Sequence, residues 1–308
     1  MTPTPILDTH VHFWDHDVAG MRWPWLEQGF KSSRHSWTEA SDTQLVAKHD
    51  MRRFTSTEFR EEVAGVGVVG IIHAHAASEM TDQAHETQWL AAIARADGWP
   101  LGMIGSCSLA SADGPDLLRR HRTASERCRS VRDMNGPKGL DLEACAATLE
   151  VAEALGFSIE LRTDPEHFDM FAAFADRWPN VTFVLSHAAL PRERTPESLK
   201  GWIDAATKIA DRPNLVCKIS ALCGGSDPNW TVESIRPWAE ACYAVFGRDR
   251  TMLGSNWPVD RLFGTYANVV DAYRTIFGQL SDVDRSALFY GNAAALYGVE
   301  LSAVELAG

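Results

Sequence analysis

The sequence has no long apolar run and no concentrated basic segment. No stretch approaches the roughly 20 apolar residues that a membrane span requires, so we expect no membrane partner. The formal net charge is -12, and the basic residues are scattered along the chain. A nucleic-acid-binding protein needs a concentrated basic face, so this class is excluded as well.

The cysteines are also not arranged in the close pairs that many small domains use. The chain has six cysteines, and none of them forms a Cys-x-x-Cys pair. This excludes a zinc finger or a disulfide scaffold and favours buried free thiols in a reducing compartment. Residues 1–5 lack a basic region followed by an apolar run, so no signal peptide is expected and a cytoplasmic location is predicted.

No glycine-rich phosphate loop follows a strand, which argues against an open dinucleotide-binding sheet. Instead, strand-like apolar runs alternate with helical patterns over most of the 308 residues. Eight such βα units, spread over about 250 residues without a linker, predict an α/β fold of the TIM (β/α)8 barrel type. We therefore expect one domain over residues 1–308. The predicted strands are Ile6–Trp14, Val66–Ala76, Pro100–Leu109, Cys128–Met134, Phe157–Arg162, Val181–Ala188, Leu215–Leu222 and Thr251–Trp257.

An irregular, aromatic-rich insertion follows the first predicted strand. It spans residues 14–55 and contains Trp14, Trp23, Trp25, Phe30 and Trp37. A segment of this length without regular structure is typically a functional cover or a subdomain. We interpret it as a cover over an active site; anchoring of a long loop to the body is the alternative.

Two histidines lie near the end of the first predicted strand. Side chains alternate across a strand, so His10 and His12 share a face, and Asp8 is expected below them on that face. Two imidazoles on one rigid strand can form half of a metal site or half of a proton-transfer site. Hydrogen-bonded core histidines are the alternative.

Polar residues also end the other predicted strands. In an α/β barrel the active site is built at the carboxyl ends of the strands, so these side chains are expected to meet at one rim. Three histidines from two strands are a usual ligand set for zinc, and without metal they could stabilise an oxyanion. The rim residues are His10, His12, His73, His75, Arg132, Glu160, Arg162, His187, Lys218, Ser220, Asn256 and Asp260.

Several motifs resemble the amidohydrolase superfamily, and more narrowly its lactonase-like group of TIM-barrel metal-dependent hydrolases. This group includes sugar lactonases and 2-pyrone-4,6-dicarboxylate lactonase. The resemblance runs through the whole chain. It is carried by Leu7-Asp-Thr-His-Val-His-Phe-Trp14, Glu86-Thr-Gln-Trp-Leu90, Arg129-Ser-Val-Arg132, Val184-Leu-Ser-His187, Pro213-Asn-Leu-Val-Cys-Lys-Ile-Ser220 and Gly254-Ser-Asn-Trp-Pro-Val-Asp260.

The resemblance implies hydrolysis of the ring ester of a small, oxygen-rich molecule, either carboxylated or sugar-derived. His10, His12 and His187 match histidines that bind metal in some members and polarise the lactone carbonyl in others. The superfamily usually has an aspartate on strand eight, where this chain has Asn256. An amide cannot accept a proton from water near neutral pH, so Asn256 cannot replace the aspartate as the base. Three histidines without the strand-eight carboxylate predict that zinc is weakly bound or absent.

The missing strand-eight carboxylate leaves the general base to another residue. We predict Asp260, four residues on, as this base, with Asn256 orienting water or substrate; pairing of Asp260 with Arg261 or Arg250 is the alternative. Arg132 and Lys218 would suit a carboxylate or a polarised carbonyl, or else form a salt bridge inside the barrel. The predicted substrate-binding residues are Trp14, His73, His75, Arg132, Glu160, Lys218 and Trp257.

Two other functions stay open from the sequence. One is a non-oxidative decarboxylase of an aromatic or dicarboxylic acid, although Asn256 counts against it because such relatives use a strand-eight aspartate. The other is a non-catalytic barrel that binds a small molecule. A small molecule is the expected partner in each case, and the sequence leaves the oligomeric state open, a homodimer included.

Overall fold

Eight parallel strands, following one another in chain order, form the central sheet. The structure is a computed structural model that describes residues 4–27, 52–134, 140–191, 193–224, 229–302 and 306. We number these strands β1 to β8. They are Ile6–Val11, Val68–Ala74, Gly102–Ser106, Cys128–Asp133, Ser158–Leu161, Phe183–Leu185, Leu215–Ile219 and Thr251–Leu253.

The sheet closes on itself between β8 and β1. Thr9 Oγ1 donates a hydrogen bond to Leu253 O at 2.6 Å, and the N–H of His12 donates to Trp257 O at 2.7 Å. Gly254 permits this approach, because a Cβ there would lie 2.8 Å from the Cβ of His10. The closed ring of parallel strands is a TIM barrel, as the alternation of strands and helices predicts.

The helices pack around the barrel and begin at residues suited to capping. Asp141, Thr195 and Thr265 each accept a backbone N–H from the first turn of the helix that follows, and Gly156 ends one helix in a left-handed conformation. The helices are Pro24–Glu27, Ser56–Glu62, Ala84–Asp97, Gly114–Ala124, Leu142–Leu155, Phe168–Arg177, Pro196–Thr207, Val232–Phe246, Tyr266–Ile276, Asp282–Ser286 and Asn292–Tyr297. Among the described residues, no helix is long and apolar enough to cross a membrane.

An apolar layer fills the amino-terminal half of the barrel interior. It combines side chains of five strands with Ala293 and Tyr297 of the last helix. A Cβ at Gly102, the first residue of β3, would lie 3.5 Å from the Cβ of Tyr297, so the tyrosine sits where the strands begin. The buried ammonium of Lys218 borders this layer, 5.6 Å from the centre of the Tyr297 ring. The strand residues of the layer are Leu7, Val69, Ile72, Ala74, Ile104, Val184 and Met252.

The predicted cover over residues 14–55 is described only in part, since residues 28–51 lie outside the described residues. Trp14–Asp15 pairs antiparallel with Arg53–Phe54 in a small second sheet. The Trp14 ring lies 5.6 Å from the ring of Trp25 and 6.0 Å from that of Phe54. This part of the segment is held by aromatic packing; its role as a cover stays a prediction.

Candidate functional site

Three histidines meet at the carboxyl end of the barrel. The ring of His10 lies 4.8 Å from the ring of His12 and 4.4 Å from the ring of His187, measured between centroids. His10 lies on β1, His12 follows it, and His187 follows β6. The sequence correctly predicts that these imidazoles from different strands converge.

Asp8 does not lie on the histidine face of β1, contrary to the expectation. Its carboxylate accepts the backbone N–H groups of His10 at 3.0 Å and of Ser255 at 2.9 Å, and the hydroxyl of Tyr266 at 3.0 Å. Tyr266 belongs to the helix outside β8. The pairing of β1 with β2 is irregular between Asp8 and Val11, so the alternation of side chains is interrupted there.

Two site residues lie in left-handed turns rather than in strands. His187 has a φ of 55° in the turn Ser186–Ala189, and Asn256 has a φ of 61° after β8. This region is strained for most residues and costs least for Gly, Asn and Asp. Strain that is retained at a candidate site is consistent with a function for these side chains.

A chain of polar contacts runs from the barrel mouth to its interior. Arg132 Nη1 lies 3.4 Å from His10 Nε2, and His10 Nδ1 lies 3.5 Å from Glu160 Oε1. Glu160 also accepts hydrogen bonds from Ser186 Oγ at 2.9 Å and from the ammonium of Lys218. Lys218 and Glu160 are thus a buried ion pair below the histidines, which was the alternative to a direct role in substrate binding.

Among the described residues, Arg132 is a buried cation without an anionic partner at hydrogen-bond distance. Its side chain is 6% exposed. Within the described ranges its protein contacts are both made by Nη1, to His10 Nε2 and to the carbonyl of His75 at 3.3 Å. Burial lowers the pKa of this guanidinium, and Glu160 and Glu86 oppose the shift from a distance. A buried guanidinium without a direct carboxylate partner is costly, so this position favours an added anion.

Asn256 lies between His12 and Asp260. Its Nδ2 donates to Asp260 Oδ1 at 2.8 Å, and its Oδ1 lies 3.3 Å from His12 Nε2. Asp260 is fully buried, and burial raises its pKa to about 7. Neither alternative partner takes this carboxylate: Arg261 pairs with Glu62, and Arg250 donates to the carbonyls of Arg212 and Leu215.

The three rim imidazoles are held neutral. Burial lowers the pKa of His12 to about 4 and keeps the pKa values of His10 and His187 well below the usual range. Two of the rings have a hydrogen-bond partner at Nδ1: Ala74 O lies 2.8 Å from His12, and Ser220 Oγ lies 2.8 Å from His187. His10 Nδ1 is buried 3.5 Å from Glu160 Oε1, without a hydrogen-bond partner among the described residues. Nε2 of His10 faces Arg132 and Nε2 of His12 faces Asn256, so among the described residues it is Nε2 of His187 that is left for another contact.

Four of the predicted substrate-binding residues do not join the three histidines. His73 packs its ring 5.7 Å from that of Phe13, and both of its ring nitrogens are buried without a partner in the described structure. His75 Nε2 lies 3.2 Å from Ser78 Oγ, beside the helix Ala84–Asp97. Trp257 donates to Glu62 at 2.8 Å, and Trp14 is buried in the small aromatic cluster.

The histidines do not form a closed metal site in this arrangement. Among the described residues, one group of three potential ligands has all its donor atoms within 4.8 Å of one another, and it is the rim group Asp164, Glu166 and His167. A guanidinium beside His10 disfavours a cation, and Asn256 supplies no charge. The donor set therefore does not fit a tightly held divalent ion.

Sequence reasoning missed the buried carboxyl of Glu86. This side chain is 2% exposed and accepts hydrogen bonds from Ser78 Oγ and Ala76 N. Glu86 lies four residues before Leu90, on the apolar stripe of its helix. A charged residue on an apolar stripe is the feature of the sequence that could have indicated a buried carboxyl.

Comparison with known proteins places this barrel in a family. The model of the amidohydrolase family matches residues 7–299. The chain belongs to the amidohydrolase family. It is 31% identical to the uncharacterized protein y4mH of Sinorhizobium fredii, over 97% of this chain and 100% of that protein. It is also 27% identical to an L-fucono-1,5-lactonase of Burkholderia ambifaria, over 70% of this chain and 76% of the relative.

A solved structure of this family shares the barrel. An amidohydrolase of Burkholderia multivorans with bound zinc superposes with a TM-score of 0.77, covering 96% of this chain and 100% of that one. The two sequences are 22% identical, so the likeness establishes the shared fold.

Proposed function

We propose that this protein hydrolyses the ring ester of a small lactone that carries a carboxylate. The observation that supports the carboxylate is Arg132, a buried guanidinium at the barrel mouth without an anionic partner among the described residues. The lactone is supported by the L-fucono-1,5-lactonase relative and by neutral imidazoles that can face a carbonyl.

The hydrogen-bond pattern suggests different roles for the three histidines. Ser220 Oγ can donate to His187 Nδ1, which places the ring proton of His187 on Nε2, where it can donate to the lactone carbonyl oxygen. His10 Nε2 accepts from Arg132, so His10 orients the guanidinium. His12 lies between two acceptors, Ala74 O at Nδ1 and Asn256 Oδ1 at Nε2, so we assign it the role of positioning Asn256.

Asp260 is the proposed general base, and Asn256 holds it beside the site. Water would add to the carbonyl carbon while its proton passes to the carboxylate. The ring C–O bond then breaks, and the ring oxygen takes up a proton, which gives a hydroxy acid. A carboxyl whose pKa lies at about 7 is well matched to this task near neutral pH. We propose that zinc, the metal expected from the family resemblance, is held weakly or not at all.

The test compares paired lactones with and without a carboxylate, measured by acid release in a weakly buffered indicator assay. Arg132→Gln should raise KM for the carboxylated lactones about 100-fold, because a charge-assisted bidentate contact is lost. Turnover of the uncharged lactones should change by about twofold or less. Arg250→Gln is the matched control, since Arg250 binds the backbone carbonyls of Arg212 and Leu215 where β7 begins.

Other outcomes would reject the proposal. Carbon dioxide release from aromatic acids without lactone turnover would identify a decarboxylase. Stabilisation by a lactone without turnover would identify a binding protein.

A further inference from the structure

A buried carboxyl lies behind Arg132 and is not used by the proposed reaction. Glu86 lies in the first turn of the helix Ala84–Asp97 and is 2% exposed. Burial raises its pKa to about 8, and no cation lies within salt-bridge distance of it in the described part of the chain. Burying a carboxyl group without a charged partner destabilises the fold unless hydrogen bonds compensate for the lost hydration.

Both described partners of Glu86 come from the loop that follows β2. Its Oε1 accepts the hydroxyl of Ser78 at 3.1 Å and the backbone N–H of Ala76 at 3.4 Å. Between them, Ala77 has a φ of 51°, a left-handed conformation that an alanine adopts only under constraint. Glu86 therefore holds a strained loop in place.

This loop connects Glu86 to the proposed substrate contact. Arg132 Nη1 donates to the carbonyl of His75, which is the first residue after β2. The same loop accepts the indole N–H of Trp25 at Ala76 O, at 2.8 Å. A displacement of the loop would move an acceptor that orients the guanidinium.

The direction of the hydrogen bonds follows from a count of protons. Glu86 Oε1 accepts the backbone N–H of Ala76, which is the role of the carbonyl oxygen in a neutral carboxyl group, so we assign the carboxyl proton to Oε2 and take the Ser78 hydroxyl as the donor to Oε1. The Ser78 hydroxyl has one proton, which is then used. It must accept from His75 Nε2, which lies 3.2 Å away.

The same count fixes the tautomer of His75. Burial keeps the pKa of His75 well below the usual range, so the ring is neutral and carries one proton. With this proton on Nε2, His75 Nδ1 is a lone pair. This nitrogen is buried and has no partner within the described residues.

We propose that Glu86 is a positioning residue that, through Ser78, keeps the ring proton of His75 on Nε2 and holds the His75 carbonyl against Arg132. The inference rests on the proposed function, because the binding of a substrate carboxylate by Arg132 is what it serves.

The first test compares two substitutions at Glu86. Glu86→Ala frees the Ser78 hydroxyl to donate to His75, so the ring proton should move to Nδ1, and KM for a carboxylated lactone should rise about tenfold. Glu86→Gln keeps an acceptor oxygen and should retain the tautomer and a KM within about twofold of the parent. Glu143→Ala is the matched control, since Glu143 lies in the first turn of another barrel helix but is exposed.

The tautomer is measured from the ring nitrogen shifts in 15N-histidine-labelled protein, with His75 assigned by comparison with His75→Gln. A lower melting temperature of Glu86→Ala with the parental tautomer and KM would overturn the inference. The nitrogen shifts can be measured without any substrate. If no lactone is hydrolysed, the proposed function fails while the His75 tautomer is still tested.

Variants at Ser78 keep the test valid if Glu86→Ala does not fold. Ser78→Ala should remove the preference for one tautomer, and Ser78→Thr, which retains the hydroxyl, should restore it. Identical nitrogen shifts in Ser78→Ala and the parent would contradict the inference.

Discussion

At the scale of single residues, Asn256 lowers the affinity that we expect the three histidines to have for zinc. It offers His12 an amide oxygen where a carboxylate would provide a charged metal ligand. A neutral ligand set beside a guanidinium should bind zinc weakly, since deprotonated, negatively charged ligands contribute much of the affinity.

Metal content is therefore a direct prediction about this residue. After chelator treatment and desalting, elemental analysis should find much less than one zinc per chain in the parent protein. Asn256→Asp should bind zinc more tightly in a competition titration with a chromogenic chelator. One firmly held zinc per parental chain would contradict this interpretation.

Asp260 determines the predicted pH dependence of the reaction. Burial raises its pKa to about 7, so the carboxyl is protonated and inactive as a base below this pH. We expect kcat/KM to rise with pH through about 7 and then to level off. Asp260→Asn should remove this rise and lower kcat by about 10² to 10⁴.

The matched control for Asp260 is Glu62→Gln, a half-buried carboxyl that binds Trp257 and Arg261 near the rim. Its pH profile should keep the rise. If Asp260→Asn retains the same acid limb as the parent, a different group is the base.

At the scale of elements, the strands could be predicted and the turns could not. The apolar runs indicate all eight strands, because burial on both faces leaves a continuous hydrophobic signature. The predicted sixth strand, however, runs to Ala188, whereas β6 ends at Leu185 and His187 lies in a left-handed turn. This turn is imposed by tertiary contacts such as that with Ser220, which no local pattern reveals.

The irregularity of β1 shows the same limit. A two-residue period places Asp8 beside the histidines, yet its carboxylate closes the barrel by accepting N–H groups from β1 and from the residue before Asn256. Only the closed ring brings Ser255 to Asp8. The position of the site was therefore predictable, but the contacts that support it were not.

Tyr266 supports this closure from the outer helix, which leads to a prediction about stability. Tyr266→Phe removes a buried hydrogen bond to the Asp8 carboxyl and should lower the free energy of unfolding by about 1–3 kcal/mol in urea denaturation at pH 7. Tyr273→Phe is the control. Its hydroxyl makes a longer bond of 3.4 Å to Gly254 O, so the loss should be smaller. Equal losses would show that the Asp8 contact has no special weight.

At the scale of the whole molecule, buried titratable groups should narrow the pH range of stability. Histidines whose pKa is lowered in the folded state reduce the free energy of unfolding of the protein as pH falls below about 6.5, because the unfolded chain then binds more protons. They are His10, His12, His73, His75, His121 and His187.

Buried carboxyls act in the opposite direction. Asp260 and Glu86 have pKa values raised to about 7 and about 8, so the stability they contribute at low pH is lost as pH rises through these values. We expect calorimetry between pH 5 and 8.5 to find the highest melting temperature at about pH 6.5 to 7. A melting temperature that rises steadily towards pH 5 would contradict this balance.

His73→Leu gives a more specific check of the same balance. It removes one buried imidazole without described partners, so the loss of stability on the acid side should decrease by roughly 1.4 kcal/mol per pH unit. Glu143→Gln, at an exposed carboxyl, should leave this slope unchanged.

Tyr297, at the amino-terminal end of the barrel, has a consequence for how a ligand enters and leaves the candidate site. Tyr297 and the apolar side chains packed with it occupy the end where the strands begin, so a ligand of the candidate site is expected to enter and leave at the carboxyl ends of the strands. A ligand that enters at this end would leave at the same end, past the guanidinium of Arg132. If the proposed substrate carboxylate binds Arg132, the hydrolysis product retains this carboxylate, and product bound there should inhibit further turnover.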